Sequence, residues 1–162
     1  MARTVATPCI VGIGQRYAGD DGVGREVVRE LSASGIPAQG VDDGAGLLNI
    51  LMGGAGPVLV IDAVVGGGKP GTIHVLRRDA FDAAFRPVSS HGIGVLEAID
   101  LATRFNPALT VTVVGISIDP PSSLGEGLSR EVAASVTEAA ECVRALLPFQ
   151  ASVMTLDWSS GA

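Results

Sequence analysis

Positive charge is scarce in this chain. Of its 162 residues 11 are lysine or arginine, against 17 aspartate or glutamate, which leaves a net charge of −6. Lys69 is the single lysine and the arginines are scattered, so the basic stripe that nucleic-acid binding requires is missing. Cysteine is equally sparse. Cys9 and Cys142 match no zinc or redox spacing, and both read as small buried hydrophobes. Long apolar runs are absent as well: the longest, Val58 to Val65, is broken by Asp62 and falls far short of the roughly 18 residues of a membrane span. Met1-Ala2-Arg3-Thr4 lacks signal-peptide anatomy, and a cytoplasmic protein is expected. No Gly-x-Ser-x-Gly elbow occurs, which argues against a serine hydrolase of that type.

What is present is a patterned, apolar chain. With 47% hydrophobic and 17% charged residues it can bury a substantial core and is not disordered. One domain is expected over 1–147, followed by a mobile tail over 148–162 that carries Trp158. Strand and helix patterns alternate throughout. Apolar strands are predicted over Thr4–Gly14, Pro37–Val41, Pro57–Asp62, Gly71–Leu76 and Leu109–Ile118. Helical stripes fall on Val23, Val27, Val28 and Leu31, on Leu47 to Met52, on Gly92 to Phe105, and on Leu128 to Leu146 with Ser129 as N-cap. Such alternation predicts an α/β fold, a mostly parallel sheet between helix layers.

The most informative stretch is Val11 to Gly24, where Asp20 and Asp21 stand on a glycine-framed turn straight after a strand. A dinucleotide fingerprint does not fit, because Tyr17 occupies the third glycine position and two aspartates would repel a pyrophosphate at the helix start. One aspartate is expected merely to favour the helix dipole. In open α/β sheets ligands gather beyond the carboxyl ends of the strands. Three titratable groups are expected there: Asp21, Asp62 ending its strand, and His91 just before a helix. Such an oxygen, oxygen, nitrogen set suits a divalent transition ion with open positions, and it suits an acid–base cluster equally well. The bland readings are a turn or cap for Asp62 and a plain loop position for His91. His74 reads as a half-buried strand residue without a clustered partner, and Ser89 and Ser90 are neighbours of His91 without triad geometry.

Taken together, four segments resemble the NiFe-hydrogenase maturation endopeptidases. They are Gly12-x-Gly14 with Asp20-Asp21-Gly22-x-Gly24; Val60-Ile61-Asp62-Ala63-Val64 with Pro70-Gly71-Thr72; Ser90-His91 opening a helix; and Val113-Val114-Gly115-Ile116 with a Gly-Leu-Ser helix start. The resemblance runs in consistent order from about Val5 to about Leu147. It implies a three-layer α/β sandwich around a twisted, mostly parallel five-stranded sheet. It also implies an aspartic-type endopeptidase that removes the C-terminal extension of a hydrogenase large-subunit precursor after nickel insertion. The metal would be sensed through Asp21, Asp62 and His91, with Asp21 and Asp62 catalytic. Nickel would come with the substrate, so no permanent cofactor is implied, and the protein would act as a monomer. Gln15 stands where the family carries asparagine, and the Asp42-to-Gly46 loop is shorter than the family's; substrate contacts are assigned to Gln15, Asp43 and Gly44. The alternative is a non-catalytic metal-sensing chaperone of the same precursor, which the same three residues would serve.

Overall fold

In a computed structural model that describes residues 8–15, 17–54, 56–78, 81, 85–87, 92–120 and 127–159, the apolar runs become the centre of a sheet. The strands are β1 (Cys9–Ile13), β2 (Gln39–Val41), β3 (Val58–Gly66), β4 (Ile73–Arg77), β5 (Phe85–Pro87) and β6 (Val111–Ile118). Between and after them lie the helices α1 (Val23–Ala33), α2 (Gly44–Gly53), α3 (Val95–Phe105) and α4 (Arg130–Ser159). Five strands follow the path β2-β1-β3-β6-β4 in an open sheet. β1 is parallel to β2 and β3, β3 is parallel to β6, and only β4 on this path is antiparallel. The expected mostly parallel, five-stranded sheet is present.

Helices cover both faces because each central strand is buried on both. One core cluster joins Ile10, Leu59, Ile61 and Val114 of the sheet to Val27 and Leu31 of α1 and to Val132, Ala139 and Val143 of α4. The other joins Val11, Val60 and Val113 to Leu47 and Leu51 of α2 and to Val95 and Ile99 of α3. Alternate residues of one strand thus enter opposite layers, and full burial explains the uninterrupted apolar composition.

Several boundaries differ from the sequence reading. β3 does not stop at Asp62. Its pairing with β6 continues to Val65, and β5, unforeseen in the sequence, adds antiparallel to Val64–Gly66. A three-residue strand is too short to show a period. α2 starts at Gly44, ahead of the expected Leu47, because the Asp43 carboxylate caps it by accepting from Gly46 N–H at 3.0 Å. Ser129 does stand before α4, but its hydroxyl is buried with no hydrogen-bond partner among the described residues; its carbonyl accepts from Ala133 N–H. Cys9 and Cys142 are half-buried, not fully enclosed. The backbone of 148–159 continues α4. No helix among the described residues is long and apolar enough to cross a membrane.

Candidate active site

The strand β1 ends where two glycines let a turn fold back onto the sheet. Gly14 has φ +152°, and a Cβ there would run into the Asp21 carbonyl and come within 2.9 Å of Gly22 Cα. Gly24 leaves no more room: a Cβ would reach 2.5 Å from the Ile61 carbonyl oxygen and 2.8 Å from Ile13 N. The short 3₁₀ turn Gly19–Gly22 is therefore pressed against the ends of β1 and β3, and α1 starts from it. Asp20 and Asp21 ride on this turn, both half-buried.

Asp62 reaches the same place from β3. The β1 ladder ends with Gly12 opposite Ile61, so Asp62 is the first β3 residue beyond it. Its other neighbour in register is Gly115 of β6, which has no side chain. Only 4% of Asp62 is exposed, and its Oδ1 accepts the Ala63 N–H at 2.9 Å. A charged group so enclosed is costly unless paired or neutralised. Burial pushes its pKa well above the ordinary carboxylate value, the Asp21 charge pushes it further, and the Ala63 N–H partly opposes both. Burial raises Asp21 as well. Each carboxyl therefore holds its proton more tightly than an isolated one, and Asp62 the more so because of its neighbour's charge. A cation between them would relieve the same repulsion. A turn or cap role for Asp62 does not survive, since it sits inside a strand.

The other expected site residues divide. His91 lies outside the described residues; the next described residue is Gly92, just before α3. Among the described residues no group of three or more His, Cys, Asp or Glu is placed to hold a metal ion. Gln15 is exposed, leaving its side chain accessible beside the turn. Asp43 is occupied as the α2 cap. Gly44 is buried, and a Cβ there would collide with the Ile93 carbonyl and lie 2.6 Å from that of Gly94, so this loop is packed against the approach to α3. Of the paired aspartates, Asp20 is the one committed elsewhere, accepting from Ser129 N–H at 2.6 Å.

A polar network missed in the sequence lies one strand further along. His74 and Asp62 face Gly115 from its two sides, but the imidazole turns to fully buried Ser117. The Ser117 hydroxyl donates to the Gly66 carbonyl at 2.7 Å, so its proton is committed and His74 Nε2–H donates to Ser117 Oγ at 2.9 Å. Phe85 packs edge-on against the ring, and burial lowers the His74 pKa. His74 is half-buried on its strand, as expected, but not partnerless. A serine among the apolar residues that end β6 was the available signal.

A family model for hydrogenase maturation protease, HycI, matches residues 27–145. The chain belongs to the hydrogenase maturation protease family. Asp62 and His91 lie within the matched range and Asp21 just outside it. Protein FrxA of Pyrococcus furiosus is 28% identical over 133 residues, spanning 80% of this chain and 96% of that protein. The [NiFe] hydrogenase maturation protease HybD of Thermococcus kodakarensis has the same fold, with a TM-score of 0.73 at 24% identity over 88% of this chain and 99% of that one. Escherichia coli HybD, a hydrogenase maturating endopeptidase, superposes with a TM-score of 0.68 at 23% identity, covering 87% and 92%.

Proposed function

We propose that this member of the hydrogenase maturation proteases removes the C-terminal extension of a NiFe-hydrogenase large-subunit precursor once nickel has been inserted. The observation that carries the reading is the Asp21–Asp62 pair: two carboxylates whose proton affinity burial raises, with the Asp21 charge raising that of Asp62 further, held where two glycines clear the sheet edge. The nickel belongs to the precursor and is part of the substrate. Asp21 and Asp62, with His91, supply an oxygen, oxygen, nitrogen set for it and leave positions free for the precursor's own ligands. Three protein donors make metal loading a checkpoint, since an empty precursor offers nothing for them to grip.

Peptide hydrolysis forms a bond from water oxygen to the scissile carbonyl carbon, breaks the C–N bond and delivers a proton to the leaving amine. Asp62 suits the proton's custody. Its raised pKa makes it a stronger base than an exposed carboxylate when ionised and a usable acid when protonated. Asp21, less buried and on the turn, orients the metal end of the substrate. Gln15 is exposed beside the same turn and is assigned to substrate contact.

Intact-mass analysis of a large subunit co-expressed with and without this protein tests the reading. The expected result is loss of a C-terminal peptide from nickel-loaded precursor only, with casein left intact. Binding without a change in mass would identify a metal-sensing chaperone instead. At matched folded fraction, Asp62→Ala and His91→Ala combined should cost little more than either alone, because groups acting as one unit are strongly non-additive.

A further inference from the structure

Asp20 and Asp21 are adjacent, yet the fold gives them different tasks. Asp21 raises the pKa of Asp62 across the site. Asp20 instead reaches the start of α4, where its Oδ1 accepts the Ser129 N–H at 2.6 Å across 109 positions of sequence. A bond from a backbone donor to a carboxylate is a charge-assisted one, and the donor sits at the positive end of a long helix. α4 is in turn fastened along α1: Thr137 Oγ1–H donates to Glu30 at 2.9 Å and Arg144 donates to Ser34 Oγ at 2.8 Å. Three polar rungs thus join the 3₁₀ turn and α1 to α4, and only the first lies next to a carboxylate of the site. The 3₁₀ turn itself has weak internal support. No side chain caps it, Asp21 N–H reaches the Ala18 carbonyl at 3.3 Å, and 3₁₀ hydrogen bonds are poorer than α-helical ones.

We infer that Asp20 is a positioning residue: its bond to the Ser129 N–H clamps the turn to α4 and so holds the Asp21 carboxylate against Asp62. The role rests on the processing function proposed above, but the clamp itself does not. What matters at position 129 is the backbone N–H, since the hydroxyl makes no bond among the described residues. The clamp can accordingly be cut from either end, one of them 109 positions from the turn.

The experiment compares five variants with the wild type at a temperature where all are folded. Asp20→Ala removes the acceptor, Ser129→Pro removes the donor, Asp20→Asn keeps an amide oxygen that can accept, Ser129→Ala keeps the donor, and Thr137→Val cuts the second rung as a stability control. With nickel-loaded precursor, Asp20→Ala and Ser129→Pro should each lower kcat by roughly 10- to 100-fold, the penalty of misplacing a group by about 1 Å, with KM within about threefold. Asp20→Asn and Ser129→Ala should stay within about threefold of wild type, and Thr137→Val should lower Tm with kcat unchanged. Hydrogen exchange of the Asp21 and Gly22 amides supplies a readout free of the reaction: it should quicken in Asp20→Ala and Ser129→Pro and not in Thr137→Val. Unchanged kcat in both clamp variants, equal losses in Thr137→Val, or unaltered exchange at the turn overturns the clamp. If the wild type processes no precursor, the proposed function fails and the exchange data alone decide the clamp.

Discussion

Replacing Asp62 by asparagine should stabilise the protein at neutral pH while stopping precursor processing. Asp62 is 4% exposed and lies beside a second carboxylate. The effective cost of enclosing an ion in a protein is several kcal/mol. Asparagine keeps an oxygen for the Ala63 N–H but adds an amide N–H2 that needs partners, which takes back about 1–3 kcal/mol. A net gain of about 2 kcal/mol remains, equivalent to a Tm rise of roughly 4–8 °C for a chain of this size.

The pH dependence carries the sign. Because the folded-state pKa lies above the unfolded value of 3.8, the wild type binds the proton more tightly when folded. Its Asp62 stability is fully present below 3.8 and is lost as pH rises through the folded pKa. The advantage of the variant should therefore be greatest at neutral to alkaline pH and shrink steadily as pH falls towards 4. Calorimetric unfolding of wild type and variant across that range measures it, with Asp21→Asn as a companion that relieves only the secondary, electrostatic part. A variant less stable than wild type at pH 7.5, or a Tm difference independent of pH, would refute the argument that Asp62 is a buried, destabilised carboxylate.

At the turn, Asp21→Glu should keep processing and Asp21→Ala should lose it, read by precursor mass at matched folded fraction; normal processing by Asp21→Ala would reduce that carboxylate to a helix-dipole group. Gly24→Ala places a Cβ 2.5 Å from the Ile61 carbonyl oxygen, so it should cost about 1–3 kcal/mol in denaturant unfolding and push the turn off the sheet with loss of processing. Leu31→Ala empties a fully buried position at the far end of α1 and should cost about 2–5 kcal/mol. Its kcat should stay near wild type where the variant is folded, because the cavity lies away from the turn.

Much of the architecture was legible because burial writes itself into composition. Val58 to Ile61 is apolar at every position since both faces of β3 are covered, whereas α1 repeats Val23, Val27, Val28 and Leu31 since only one of its faces is. These periods identify strand and helix from local sequence alone. The glycine frame from Gly12 to Gly24 likewise marked the turn as the place where groups would be presented. Asp21 and Asp62 could be named as candidates from their positions after apolar runs. The task of Asp20 could not, because it has the same chemistry as Asp21 and an adjacent position. Their difference depends on Ser129, over a hundred residues away. The sequence also ended β3 at Asp62, whereas partners from β5 and β6 carry the strand past it and turn an apparent cap into a buried acid. His74 acquired its partners in the same way, from Ser117 and Phe85 on other strands. Local pattern determines which elements form and which face is apolar; the protonation, orientation and partners of a polar group are set by whatever the tertiary fold packs beside it.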